Sequence, residues 1–198
     1  MKIISFTMVN NESEIIESFI RYNYNFVDEM VIIDNGCTDS TIQIIRNLIK
    51  EGYKITIYDE SLEAYNQYRL DNKYLTKIIN EMSPDIILPL DADEFLIGEE
   101  NPRDILEKLD LNKIYYVNWQ WYVMTKLDDT HNPFIPTRMK YCLDKPAWNY
   151  SDKTPVTKTI VTVKYYQRMK LTLSMGHHTV FGNDKVEIEH LNTIRLGH

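Results

Sequence analysis

Residues 1–97 alternate between two hydrophobic periodicities, and that alternation narrows the fold more than any other feature of the chain. Residues 2–9 are a short apolar run suited to a buried strand, whereas Glu12 to Asn25 set Ile15, Ile16, Phe19 and Ile20 on one helical face. Met30 to Ile33 reads as a second strand, stopped at Asp34-Asn35-Gly36, where the Asn-Gly pair favours positive φ and a sharp turn. Thr38 or Asp39 then caps a helix carrying Ile42, Ile45, Leu48 and Ile49, which Gly52 ends. Lys54 to Tyr58 is a third strand. Leu62 to Met82 is a longer helix with Tyr68, Leu75, Ile78, Ile79 and Met82 on a shared face, and Ile86 to Leu90 is a fourth strand after the Ser83-Pro84 break. Parallel neighbours need crossover connections, so this order predicts an α/β fold with a mostly parallel sheet covered on both faces. Such sheets bind ligands beyond the carboxyl ends of their strands, which directs attention to the residues after Val9, Ile33, Tyr58 and Leu90.

The second half is expected to be richer in strand. After a helix at Pro102 to Leu109, residues 113–124, 134–143, 156–166 and 169–180 hold much Tyr, Trp, Thr and Val and read as strands. No repeat or linker divides the chain, so 1–198 is expected to be one domain, large enough at 43% hydrophobic residues to bury a core. The formal charge of -7, without a basic cluster, argues against wrapping around nucleic acid. Two cysteines, Cys37 and Cys142, are too few for a zinc site or a disulfide framework and suit a reducing compartment. The N-terminus lacks a full signal-peptide core, and no stretch approaches the ~18 apolar residues of a membrane span. A soluble, cytoplasmic protein is expected, with a partner able to hold it at the inner membrane face. The low Gly and high Ile and Asn content suggests an AT-rich bacterial genome.

At the end of the fourth strand stands Asp91-Ala92-Asp93-Glu94-Phe95. Asp-x-Asp alone is uninformative, because chance supplies about one such triplet in a chain of this composition. Its position at the ligand-binding edge supplies the information. Two carboxylates about 6 Å apart repel by about 3 kcal/mol at an effective dielectric of about 20, and a cation between them relieves that. All-oxygen ligation suits Mg²⁺ or Mn²⁺, which in turn suits a substrate diphosphate. The plain alternative is a solvated acidic turn that caps backbone amides. A second acid-rich turn, Asp34 to Thr41, would lie beside the first if strands two and four flank strand one. There Asp34, last in its strand, could accept from the N–H of a uracil-like base.

Together these residues resemble the GT-A fold nucleotide-diphospho-sugar glycosyltransferases, and within them the family 2-like group. Met8-Val9-Asn10-Asn11-Glu12 with Glu17-Ser18-Phe19-Ile20-Arg21-Tyr22-Asn23 is similar to the group's opening Asn-Glu and Glu-Trp-Ile-x-Tyr-His helix, with Phe19 for Trp and Asn23 for His. Val31 to Thr41 resembles its Asp-Asn-x-Ser-x-Asp-x-Thr turn, with Cys37 for Ser, and Leu90 to Phe95 matches its metal-binding strand end. Beyond residue 97 the likeness thins to Asn118-Trp119-Gln120-Trp121-Tyr122 and Lys158-Thr159-Ile160-Val161. The resemblance implies a Rossmann-like sandwich, with 1–97 the nucleotide-sugar-binding half and 98–198 the acceptor-side half. It implies a UDP-sugar donor and a glycan or lipid-linked acceptor, as in polysaccharide assembly. Asp34 and Asn10 would then contact the nucleotide, and Asp91 the ribose or a metal-bound water. Asp93, with Asp91, would hold Mn²⁺ or Mg²⁺ as the catalytic pair, joined by a late histidine, His177 or His178.

A sugar transfer builds negative charge on the leaving diphosphate, and a divalent ion across two phosphate oxygens relieves it by several kcal/mol. Arg69, beside Asn66, Gln67 and Asn72 near the start of its helix, is a further phosphate candidate, though a solvated helical arginine is its ordinary role. An inverting reaction needs a carboxylate to take the acceptor's proton, and the sequence does not single one out. Asp144 and Asp152 lie in the loop-like segment Leu143 to Pro155 on the acceptor side. Trp119, Trp121 and Trp148 could stack on sugars, and the tail with His190 and Arg195 could close over the diphosphate; ending at Gly197-His198, the chain suggests a trimmed or short relative. A sugar-phosphate nucleotidyltransferase would need a glycine-rich loop where Thr7-Met8-Val9-Asn10-Asn11 stands, and a phosphohydrolase would need glycine at Glu94. No Gly-x-Gly-x-x-Gly supports a dinucleotide dehydrogenase. A non-catalytic nucleotide-sugar or glycan binder stays open, because it would differ at the unidentified base.

Overall fold

The structure, a computed structural model, describes residues 1–145 and 154–198. Strands β1 (Ile3–Val9), β2 (Glu29–Asp34), β3 (Ile55–Asp59) and β4 (Ile86–Pro89) alternate with helices α1 (Ile16–Asn23), α2 (Thr41–Lys50) and α3 (Gln67–Met82). The order β3-β2-β1-β4 is parallel throughout, so β2 and β4 flank β1 and their two acidic turns share one edge. Then come β5 (Phe95–Gly98), α4 (Pro102–Leu106), β6 (Ile114–Gln120), α5 (Ile135–Arg138), β7 (Thr157–Thr162), α6 (Val163–Arg168), β8 (Thr172–Leu173), β9 (Val180–Phe181) and β10 (Ile188–Gly197). β7, β6, β10 and β5 extend the same sheet past β4 to eight strands; β7 runs antiparallel to both of its neighbours, and β10 runs parallel to β6.

Successive side chains of a strand point to opposite faces, and both faces of β1, β2 and β4 are covered, so these strands are mostly apolar, whereas the edge strand β3 is only partly buried. Ile3, Met30, Ile32 and Leu88 meet α1 and α2 through Phe19, Ile20, Ile45 and Leu48. Ile4, Phe6, Val31 and Ile33 meet α3 on the other face through Leu70, Leu75 and Ile78.

Several expected elements differ. α3 begins at Gln67 rather than Leu62, because Asn66 Oδ1 accepts from the Arg69 N–H at 3.0 Å and starts the helix there. Leu62 and Tyr68 are exposed, while Leu75, Ile78 and Ile79 are buried as expected and Leu70, Asp71 and Tyr74 complete the buried face. Residues 134–143 form the helical turn α5 and a single bridge, Tyr122 to Cys142, in place of a strand. Pro136 suits a first helical turn and cannot donate to a ladder. The segment 156–166 divides into β7 and α6, and 169–180 into two short strands around a tight turn in which Gly176 has φ 71°. The tail with His190 and Arg195 is the inner strand β10 rather than a flap. A bulge between Leu191 and Arg195 breaks its alternation, which hid it in the sequence. Trp148 and Asp152 lie outside the described residues.

Candidate active site

Two turns at the carboxyl edge are held by their own side chains. Asp34 Oδ1 accepts from the Gly36 and Cys37 N–H groups at 3.1 and 2.8 Å, and Asn11, at φ 63°, accepts from the Thr38 and Asp39 amides through Oδ1. Asp39 accepts from the Thr41 and Ser13 N–H groups, but neither it nor Thr38 is the N-cap of α2; that residue is Ser40, which makes no side-chain capping bond. Cys37 accepts from the Asn11 N–H through sulfur, and burial pushes its thiol up to about 11. Asn10 lines the cleft between the turns and donates to the Asn35 carbonyl, whereas Asp34 is not among the cleft-lining residues. Asn23 stands where the resembled helix has histidine; buried, it donates to the Glu94 carbonyl and accepts from the Leu96 N–H, clamping β5 behind the acidic turn.

The acidic turn carries a cation of the protein's own. Continuing the antiparallel pairing of β4 with β7 past Ile87 and Val161 brings Lys158 beside Asp91. Its ammonium lies 2.5 Å from Asp91 Oδ2, 3.1 Å from Glu94 Oε1 and 3.2 Å from His177 Nδ1, with only 1% of the side chain exposed. Burial pulls the Lys158 pKa down, but Glu94 and Asp91 outweigh it and the net shift is upward. Glu94 is fully buried, which pushes its carboxyl up against the opposing pull of Lys158; its Oε2 accepts from the Asp91 N–H at 2.9 Å, so both oxygens face donors. For Asp91 and Glu94, the countercharge demanded by crowded carboxylates is therefore Lys158.

His177, a candidate metal ligand in the sequence, is turned inward. Lys158 has only donors to offer, so His177 Nδ1 accepts from it, and Nε2–H donates to Asp71 Oδ2 at 2.7 Å. Burial, then Lys158, lowers its pKa to about 3 and keeps the ring neutral. His178 is committed elsewhere: its Nδ1 lies 2.7 Å from the Thr157 carbonyl, and its ring meets Trp119 edge-on. Neither histidine approaches Asp93. The one that does is His198, directly after β10, with Nε2 3.1 Å from Asp93 Oδ2. Backbone bonds to Gln120 and Tyr122 fix it, and its ring stacks on Trp119 at 4.4 Å and 8°. The hydrogen bond between them raises the His198 pKa and lowers that of Asp93. Arg69, by contrast, is half-exposed and paired with Glu63 at 2.5 Å.

Asp71, unnoticed in the sequence, lies on the buried face of α3. Burial pushes it up to about 8, and its Oδ1 has no partner among the described residues. Its shift and that of His177 act oppositely on stability. The His177 contribution is full above 6.5 and lost as pH falls toward 3, whereas the Asp71 contribution is full below 3.8 and lost as pH rises toward 8. Between pH 6.5 and 8 only Asp71 of the two acts, and it weakens the fold by about 2 kcal/mol across that window. Calorimetry of Asp71→Asn should accordingly show a shallower decline in Tm over this range than the parent; parallel slopes would contradict the assignment.

The cleft bounded by these turns has a volume of about 310 Å³ and is lined by Asn10, Glu12, Asn35, Tyr65, Gln67, Asp91, Asp93 and His198. Burial, with Asp93, Asp39 and Asp91, raises the Glu12 pKa. No Lys or Arg is among the described residues lining it. On the far side of Asp93 and His198 a second, apolar pocket of about 230 Å³ opens between β5 and α5.

The likeness to solved structures fixes the fold. The chain aligns over 100% of its length with 60% of TarS 1-349 from S. aureus, at a TM-score of 0.60 and 10% identity. It aligns over 89% of its length with 49% of the mannosyltransferase PcManGT from Pyrobaculum calidifontis, solved with GDP-Man and Mn²⁺, at a TM-score of 0.50 and 16% identity. The chain thus spans 60% or less of the length of these proteins. No protein-family model matches it, and no curated protein matches it in sequence. The architecture is that of the GT-A glycosyltransferases, a mixed α/β sandwich on a large, mostly parallel sheet. Among the described residues no helix is long and apolar enough to cross a membrane.

Proposed function

We propose that the chain is a metal-dependent glycosyltransferase, a single domain over 1–198 that moves a sugar from a nucleotide-diphosphate donor, a UDP-sugar, to a hydroxyl acceptor in the cytoplasm. The observation that carries this is the meeting of Asp93 and His198 at the mouth of an acidic cleft, at the carboxyl edge where β1, β2 and β4 end. Glu12 and Asp93 would repel a diphosphate entering alone. A cation arriving with it removes that barrier. PcManGT, with the same fold, was solved with a nucleotide sugar and Mn²⁺.

The donor set fits Mn²⁺ or Mg²⁺. Among the described residues no group of three or more His, Cys, Asp and Glu side chains is placed to hold a metal. Two protein ligands are what such an ion uses when phosphates and water complete its shell. Asp93 and His198 would hold it, and when bound it supplies Lewis-acid neutralisation of the leaving diphosphate. Lys158 fixes Asp91 through Oδ2 and leaves Oδ1 for the ribose hydroxyls. Trp119, behind His198, keeps that ring aimed at Asp93. Asp34 is not among the cleft-lining residues and its Oδ1 is held by its own turn, so a base would meet it only through Oδ2 and only by extending beyond the cleft.

UDP with Mn²⁺ should raise Tm by several degrees, and UDP with a chelator far less; equal shifts would exclude metal-bridged binding. Release of UDP or GDP from a panel of nucleotide sugars with hydroxyl acceptors then separates an enzyme from a binder. Metal-dependent binding with no release across the panel would identify the binder.

A further inference from the structure

The apolar pocket is a second chamber on the same two residues. Asp93 and His198 line both it and the polar cleft, so a molecule filling the pocket presents one end to whatever the cleft holds. Its walls are Ile15, Tyr22, Phe95, Ile97, Tyr122 and Met139. Tyr22 spends its hydroxyl on the Leu96 carbonyl at 2.9 Å, so of its polar capacity little faces the space. No Lys or Arg is among the described residues lining it.

We infer that this pocket is the acceptor site and that the acceptor is an amphipathic hydroxyl compound, its body an aromatic ring or short alkyl group. A sugar ring enclosed there would leave most of its hydroxyls without partners, each a desolvation cost that the apolar walls do not offset. A phosphorylated acceptor would find an aspartate and, among the described lining residues, no Lys or Arg. An apolar body instead replaces water against three aromatic and several aliphatic side chains, and at about 230 Å³ the space holds a ring or short chain rather than an oligosaccharide. The polar end of such a molecule lies at Asp93 and His198, where the donor's sugar would be delivered. This inference rests on the reading of the polar cleft as the donor site.

The test is calorimetric titration of the full chain with phenyl β-D-glucopyranoside, hexyl β-D-glucopyranoside, glucose and glucose 6-phosphate. A parallel titration uses UDP with Mn²⁺. The phenyl and hexyl glycosides should bind at least about tenfold more tightly than glucose, and glucose 6-phosphate no better than glucose. Met139→Glu should remove that preference and Met139→Leu keep it within about twofold, each variant first shown to melt cooperatively. Equal binding of all four probes, a preference for the phosphate, no measurable binding of the phenyl glycoside, or an unaffected Met139→Glu would overturn the assignment. If the glycosides behave as expected while UDP with Mn²⁺ does not bind, the pocket's apolar preference stands and the transferase reading falls. UDP·Mn²⁺ binding without glycoside discrimination gives the reverse.

Discussion

Lys158→Met should destabilise the protein by about 3–5 kcal/mol in urea titration, the largest loss expected from any single polar substitution here. The ammonium is buried between Asp91, Glu94 and His177, and Met fills its volume without supplying charge. Glu94 then stays fully buried with its countercharge gone, which is the costly half of breaking an internal ion pair. Because the loss is that of a buried carboxyl left without its donor, adding Glu94→Gln to Lys158→Met should recover part of it, with a coupling energy of about 1 kcal/mol or more. A Lys158→Met loss below about 1 kcal/mol would mean that water or a shifted side chain satisfies Glu94.

Asp93→Ala should do the opposite, leaving stability within about 0.5 kcal/mol while lowering Mn²⁺-dependent UDP affinity by at least about 100-fold, or about 2.7 kcal/mol. Asp93 is half-exposed and among the described residues its one ion-pair partner is His198, so little of the fold depends on it. Titration of UDP with Mn²⁺ present and with chelator present isolates the metal-dependent part. His198→Ala should lose roughly tenfold of the same affinity, because a metal losing its neutral ligand keeps the carboxylate and the phosphates. Retention of the full Mn²⁺ response by Asp93→Ala would place the ion elsewhere, and Asp91 would be the next residue to substitute.

The first half of the fold was legible because burial on both faces leaves a periodic signature. Ile3 to Val9, Met30 to Ile33 and Ile86 to Leu90 stood out as largely apolar runs, and their parallel direction follows from the crossover connections, whereas the order β3-β2-β1-β4 came only from the structure. The second half depended on long-range pairing that local pattern does not encode. β10 joins β6 only through a bulge, and the prolines around Phe134 and Ile135 outweighed their apolar character. At the site, Asp91 and Asp93 stood out by position. Lys158 did not, because a lysine in a strand ordinarily faces water, and only the antiparallel pairing of β7 with β4 turns it under the acidic turn. His198 was overlooked for a related reason. It reaches Asp93 only because β10 runs parallel to β6 and delivers the residue after Gly197 to the same edge as the end of β4.

The most direct measurement is anomalous diffraction at the manganese edge from crystals grown with UDP and Mn²⁺. The expected result is one peak within bonding distance, about 2.2 Å, of both Asp93 and His198, on the diphosphate side of the polar cleft. UDP bound in that cleft with no anomalous density there, and His198 still hydrogen-bonded to Asp93, would contradict a metal-bridged donor site.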